Sequence, residues 1–228
     1  MNQSLDLESY RFKAIIFDCD GTLVDTASLH FEAFKHALAL QGKSLDKSWY
    51  LSRTGLSAGK LLQAFERSFA CHVDVDMTIR DSEAAYTASV ENVCEFSDVA
   101  DVARLYSKQI PTAVASGGQR ISVTRTLTAS GLIAVFDHVI TIDDVEEGKP
   151  SPALFLEAAS RLTTAPRDCL VFEDTDEGVE AARRAEMQCI DVRRHRSVGS
   201  TRQDGANVPE PSIQLSDRTK RNASDTRT

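Results

Sequence analysis

The chain has 228 residues, 42% of them hydrophobic, and a formal charge of -8, which predicts one domain, or one domain with a smaller insertion. The negative charge argues against nucleic acid or an anionic membrane as main partner, and no apolar run is long enough to cross a bilayer. The five cysteines, Cys19, Cys71, Cys94, Cys169 and Cys189, are odd in number and widely spread; they predict free thiols in a reducing cytoplasm, not a disulfide scaffold or a zinc site.

In chain order, "MNQSLDLESYRFK" has no apolar segment of the kind a secretory signal needs. The run "FKAIIFD" reads as a first buried strand and ends in the acidic turn "DCDGT". No second strand follows at once. "SLHFEAFKHALALQG", "SAGKLLQAFERSFA" and "DMTIRDSEAAYTASVENV" all show helical spacing, and predict a small helical cap mounted on the loop after the first strand. A helix near Asp98 to Lys108 resumes the core. The strands "PTAVAS", "HVITI", "CLVFED" and "QCIDVR" then alternate with the helical stretches "ISVTRTLTASG", "SPALFLEAASRL" and "DEGVEAARRAE". Strand–helix alternation predicts right-handed crossovers and an α/β fold: a Rossmann-like parallel sheet covered on both faces. The expected division is a core over residues 10–26 and 97–195, a helical cap over 27–96, and a disordered tail over 196–228, polar and without apolar period.

In such a sheet ligands gather at the carboxyl ends of the strands, where this chain keeps its acids. Asp18 closes the first strand and Asp20 returns to the same side, since strand side chains alternate. Two adjacent carboxylates repel each other unless a cation or a shared proton intervenes, and an all-oxygen set suits Mg2+. Taken alone, a solvated acidic turn explains them as well. The second strand ends in "ASGG", setting Ser116 and the amides of Gly117 and Gly118 at a helix start, an anion site or an ordinary cap. The third leads to "EEGKPSP", where Lys149 precedes a proline that opens the next helix. It is not a P-loop, because the upstream glycine and the following Ser or Thr are missing. The fourth ends in "FEDTDEG" with Glu173 and Asp174. Four such signals at four successive strand ends converge on one crevice.

The ordered set "DCDGT", "ASG", "GKP" and "EDTDEG", spanning residue 15 to about 180, resembles the haloacid dehalogenase superfamily, with a helical cap after the first strand. The second aspartate, Asp20, resembles the family's phosphohydrolases, since its dehalogenases lack it. The resemblance implies an Mg2+-dependent phosphatase with Asp18 as nucleophile and an aspartyl phosphate as intermediate. It implies that Asp20 protonates the leaving alcohol and then takes a proton from water. Mg2+ would be held by Asp18, the Asp20 main-chain carbonyl and Asp174, with Glu173 in or near the metal shell. Lys149 would offset the repulsion between nucleophile and phosphate, and Ser116, Gly117 and Thr22 would hold phosphate oxygens.

"VDTASLHFEAF" resembles the sugar-phosphate branch of the family, including β-phosphoglucomutase and fructose-1-phosphate phosphatases. That likeness puts Thr26 at the hinge into the cap and His30 facing the site, where it could pair with Asp20. Phe31 and Phe34 read as cap core. Two departures stand out. Ala58 occupies the place of the mutase's phosphate-gripping arginine, leaving Lys60 as its possible substitute, and the customary Pro-Gly at the cap exit is missing. The expected partner is a small sugar or polyol phosphate, acted on by a cytoplasmic monomer. A sugar phosphomutase and a non-catalytic phosphometabolite sensor are the alternatives.

Overall fold

The computed structural model describes residues 7–196. Past Arg196, the expected tail lies outside the described residues. Strand β1 (Ala14–Phe17) is four apolar residues, all wholly buried. Alternation sends Ile15 and Phe17 to one face of the sheet and Ala14 and Ile16 to the other, where two separate apolar clusters receive them.

After a tight turn come β2 (Val24–Asp25) and four helices, α1 (Ala27–Leu40), α2 (Lys47–Leu51), α3 (Ala58–Phe69) and α4 (Val75–Ser89). These helices hold an apolar cluster of their own, including Phe31, Phe34, Leu38, Leu62 and Phe65. The chain returns through β3 (Cys94–Glu95), antiparallel to β2, with Val24 opposite Glu95 and Asp25 opposite Cys94. Helix α2 and the β2–β3 ladder go beyond the sequence reading. A five-residue helix completes too few turns to show a period, and two-residue strands show none at all.

The remainder alternates regularly: α5 (Ser97–Tyr106), β4 (Thr112–Ala115), α6 (Arg120–Ala129), β5 (His138–Ile140), α7 (Ala153–Arg161), β6 (Cys169–Glu173), α8 (Asp176–Arg184) and β7 (Gln188–Asp191). Helix α7 starts after Pro152, which precedes its first turn, so Pro150 belongs to the loop and not to the helix it was expected to open. Five strands make one parallel sheet in the order β5-β4-β1-β6-β7. Helices α5 and α6 cover the Phe17 face with Val99, Ala103, Val123 and Leu127; α7 and α8 cover the other with Leu154, Phe155, Ala158 and Ala181. Each fully buried large side chain contributes about 1.5–3 kcal/mol. Because β1 lies centrally between β4 and β6, the strand order reverses there, and the carboxyl ends of all three strands open on one crevice. Among the described residues no helix is long and apolar enough to cross a membrane.

Candidate active site

Asp18 leaves β1 while its N–H still donates to the carbonyl of Phe172 at 3.0 Å, so β6 fixes its direction. Its side chain is buried. Cys19 turns into the apolar cluster beneath. At Gly21 the backbone has φ 85°, and a Cβ there would lie 2.1 Å from Oδ2 of Asp174. Only glycine lets the loop pass this close. Thr22, wholly buried, donates its hydroxyl to Asp174 Oδ1 at 3.2 Å.

Lys149 reaches across from the loop before α7. Its Nζ lies 2.5 Å from Asp18 Oδ1 and 2.7 Å from Glu173 Oε2. The other oxygen of Glu173 accepts from the N–H groups of Asp174 and Thr175, at 3.1 and 3.0 Å, and from the Thr175 hydroxyl at 2.8 Å. Thr175 in turn caps α8 by accepting from Gly178 N–H at 3.0 Å. A Cβ on Gly178 would stand 2.0 Å from Glu173 Cδ, so the first turn of α8 closes on this carboxylate only because residue 178 has no side chain.

Asp18, Glu173 and Asp174 offer carboxylate oxygens all within 4.8 Å of one another. Three acids against one ammonium leave surplus negative charge out of water. Burial, then the charge of Glu173, push the Asp18 carboxyl well above its usual range, though Lys149 opposes them. Burial and Glu173 also raise Asp174 to about 7, against Thr22 and Lys149. For Lys149 burial disfavours the charge, but Asp18 and Glu173 outweigh it and hold the ammonium protonated. An oxygen-only donor set with unbalanced charge fits a hard divalent cation.

The Asp20 carboxylate stands apart from that trio. Its Oδ1 lies 3.4 Å from His30 Nε2. Burial works against its ionisation, but His30 and the hydroxyl of Thr26 outweigh it and lower its pKa. The His30 ring stacks on Tyr86, centroids 4.1 Å apart and planes 4° from parallel. The Tyr86 hydroxyl pairs with Thr126 Oγ1 of α6 at 2.6 Å, tying this part of the insertion to the core. At the end of β4, the buried Ser116 accepts from Gly118 N–H at 3.1 Å through its hydroxyl. A Cβ on Gly118 would be 3.8 Å from Asp20 Oδ2, whereas one on Gly117 would meet nothing within 4 Å. Thus Asp18, Thr22, Lys149, Glu173 and Asp174 share one cluster. Asp20, Thr26 and His30 form a second, with Ser116 to Gly118 beside it. Lys60 is engaged elsewhere, 2.5 Å from Glu177 of α8.

The sequence reading passed over Thr175, Gly178, Tyr86 and Arg196. The first two stand in "EDTDEG", where a threonine followed by a helix signals a cap. The partners of Tyr86 and Arg196 come from distant segments, and nothing local marks them.

A parallel sheet in this order with an acid–lysine cluster at its carboxyl edge defines a Rossmann-like α/β protein with its candidate site at the strand ends. The family model described as haloacid dehalogenase-like hydrolase matches residues 15–192. The chain is 32% identical to the fructose-1-phosphate phosphatase of Escherichia coli, over 80% of this chain and 97% of that protein. It is 30% identical to the validoxylamine A 7'-phosphate phosphatase of Streptomyces hygroscopicus subsp. limoneus, over 92% of this chain and 95% of the relative. The crystal structure of CbbY from Rhodobacter sphaeroides in complex with phosphate has a TM-score of 0.69 at 26% identity, covering 78% of this chain and 84% of that one. The chain belongs to the haloacid dehalogenase-like hydrolase family and, with these relatives, is a phosphoric monoester hydrolase.

Proposed function

We propose that the protein hydrolyses the phosphate monoester of a small sugar or polyol, with Asp18 as nucleophile and an aspartyl phosphate as intermediate. The observation that carries this reading is the meeting of Asp18, Lys149, Glu173 and Asp174 at the ends of β1 and β6. Asp18 attacks phosphorus through a carboxylate oxygen and the ester oxygen departs. Lys149, fixed by Glu173, sets an ammonium beside the attacking oxygen and lessens its repulsion from the phosphate. Ser116, Gly117 and Thr22 would hold the phosphate oxygens that do not react.

A divalent cation, Mg2+ by donor chemistry, would be held by Asp18, Asp174 and the Asp20 carbonyl, and supplies neutralisation of charge. Glu173 suits the role of orienter, since both its oxygens are already taken by Lys149 and by donors at residues 174 and 175. The departing alcohol takes a proton from the Asp20–His30 pair, and Asp20, held ionised by His30, then accepts one from the water that cleaves the acyl phosphate.

The relatives' names support the substrate class, one of them a sugar phosphatase. The helical insertion would act as the lid, with Thr26 and the region of Glu95 as hinges. The mutase alternative has less support, because Lys60 pairs with Glu177. The free cysteines support a reducing compartment such as the cytoplasm.

The deciding experiment measures phosphate release over a panel of hexose, pentose and polyol phosphates, with and without a bisphosphate primer. Hydrolysis without primer is expected, and Asp18→Asn should lower kcat by at least about a thousandfold. A variant that keeps the wild-type rate, or a rate that depends on primer, overturns the reading.

A further inference from the structure

Arg196 stands just past β7 and the short 3-10 turn Val192–Arg194, at the end of the described residues. Its guanidinium turns back into the molecule. Nη1 donates to the carbonyl of Gly21 at 2.5 Å and Nη2 to that of Thr22 at 3.0 Å. The same group lies over the Phe96 ring, 3.6 Å from its centroid. Its Nε is buried without a hydrogen-bond partner. A guanidinium that leaves one N–H unmet is costly to bury, and an apolar side chain would cover Phe96 at less cost. Such a side chain would give nothing to the two carbonyls.

What the guanidinium grips is specific. Gly21 and Thr22 follow Asp20 directly, so their peptide planes set where Asp20 points. Thr22 also carries the hydroxyl that meets Asp174. Phe96 is where the chain comes back from the insertion: its N–H donates to Leu23 O at 2.8 Å, and it caps α5. One side chain thus touches both the loop that leads into the insertion and the strand that returns from it.

We propose that Arg196 is a positioning residue for the hydrolysis, holding the Asp20 loop and the returning strand in register. The proposal rests on the phosphatase reading. Arginine is required by shape: its planar fork meets two successive carbonyls while its face stacks on an aromatic ring, and a lysine ammonium, a point charge, does one or the other.

The test compares Arg196→Lys, Arg196→Ala and Arg196→Met in the full chain by hydrogen exchange, thermal unfolding and steady-state kinetics. Exchange should quicken in peptides covering residues 20–24 and 94–97 and stay unchanged across β4, β5 and β7. For all three variants kcat should fall about tenfold or more with KM within about twofold. Added guanidinium ion should restore part of the kcat of Arg196→Ala and none of that of Arg196→Lys. Wild-type kcat and exchange in Arg196→Lys would overturn the proposal, since charge alone would then suffice. So would a loss in Arg196→Ala that merely tracks the unfolded fraction, with exchange raised everywhere. If the wild type hydrolyses no phosphate ester, the phosphatase reading falls, while the exchange pattern still decides whether the clamp exists.

Discussion

The acids of this protein show how partners decide what a carboxylate can do. Burial, and after it the charge of Glu173, raise the carboxyls of Asp18 and Asp174, and Lys149 opposes both. Asp144 is the opposite case. One of its oxygens accepts from the N–H and hydroxyl of Thr141, at 2.8 and 3.1 Å, and also from Arg120. Burial works against its charge, but Thr141 and Arg120 outweigh it, and its pKa is lowered. A carboxylate with a lowered folded pKa stabilises the fold above the unfolded-state pKa, and that contribution is lost as pH falls through the folded value. Asp144→Asn should therefore cost about 1–3 kcal/mol near neutral pH. In urea melts the gap from wild type should narrow as pH falls below the ordinary carboxylate range and Asp144 is protonated. A gap that persists in acid would mean that shape, not charge, accounts for the loss.

At the scale of elements, two contacts hold the insertion against α8. Lys60 of α3 pairs with Glu177 at 2.5 Å, and a Cβ on Gly55 would come 2.9 Å from Thr175 Cγ2. An ion pair this open to solvent adds little stability, so its removal should be read in binding. Lys60→Glu is expected to raise KM several-fold with little change in Tm, and Lys60→Glu combined with Glu177→Lys should restore it. Failure of the exchanged pair to restore KM would separate this contact from substrate capture. Much at this scale was legible in the sequence. "AIIF" and "CLVFE" are strands because runs of buried residues suit a sheet covered on both faces. The three long helices of the insertion showed their period. What stayed hidden was short or distant: α2 has five residues, and the Tyr86–Thr126 bond joins helices forty positions apart. The acids could be gathered at one edge from strand order, yet the division into an Asp18 group and an Asp20–His30 group depends on side-chain directions that spacing does not carry.

For the whole molecule, the surplus charge at the sheet edge has a thermodynamic signature. A ligand that binds the native state alone, at a hundred times its dissociation constant, adds about 2.7 kcal/mol of stability. Mg2+ added to protein stripped of metal should raise Tm by several degrees, and Asp174→Asn should lose most of that shift. Equal shifts in the two proteins would put the ion somewhere other than beside Asp18 and Asp174.

The position of β1 bears on how the enzyme comes into being. This strand is made before the insertion, yet both its neighbours in the sheet belong to segments made after the entire insertion, β6 close to the end of the described residues. The nucleophile's strand must therefore wait, apolar and unpaired, while the whole insertion is made, although the insertion helices can already nucleate locally. Nascent chains halted before β6 should carry an ordered helical segment and no catalysis, and the exposed "AIIF" is where a chaperone would be expected to hold them.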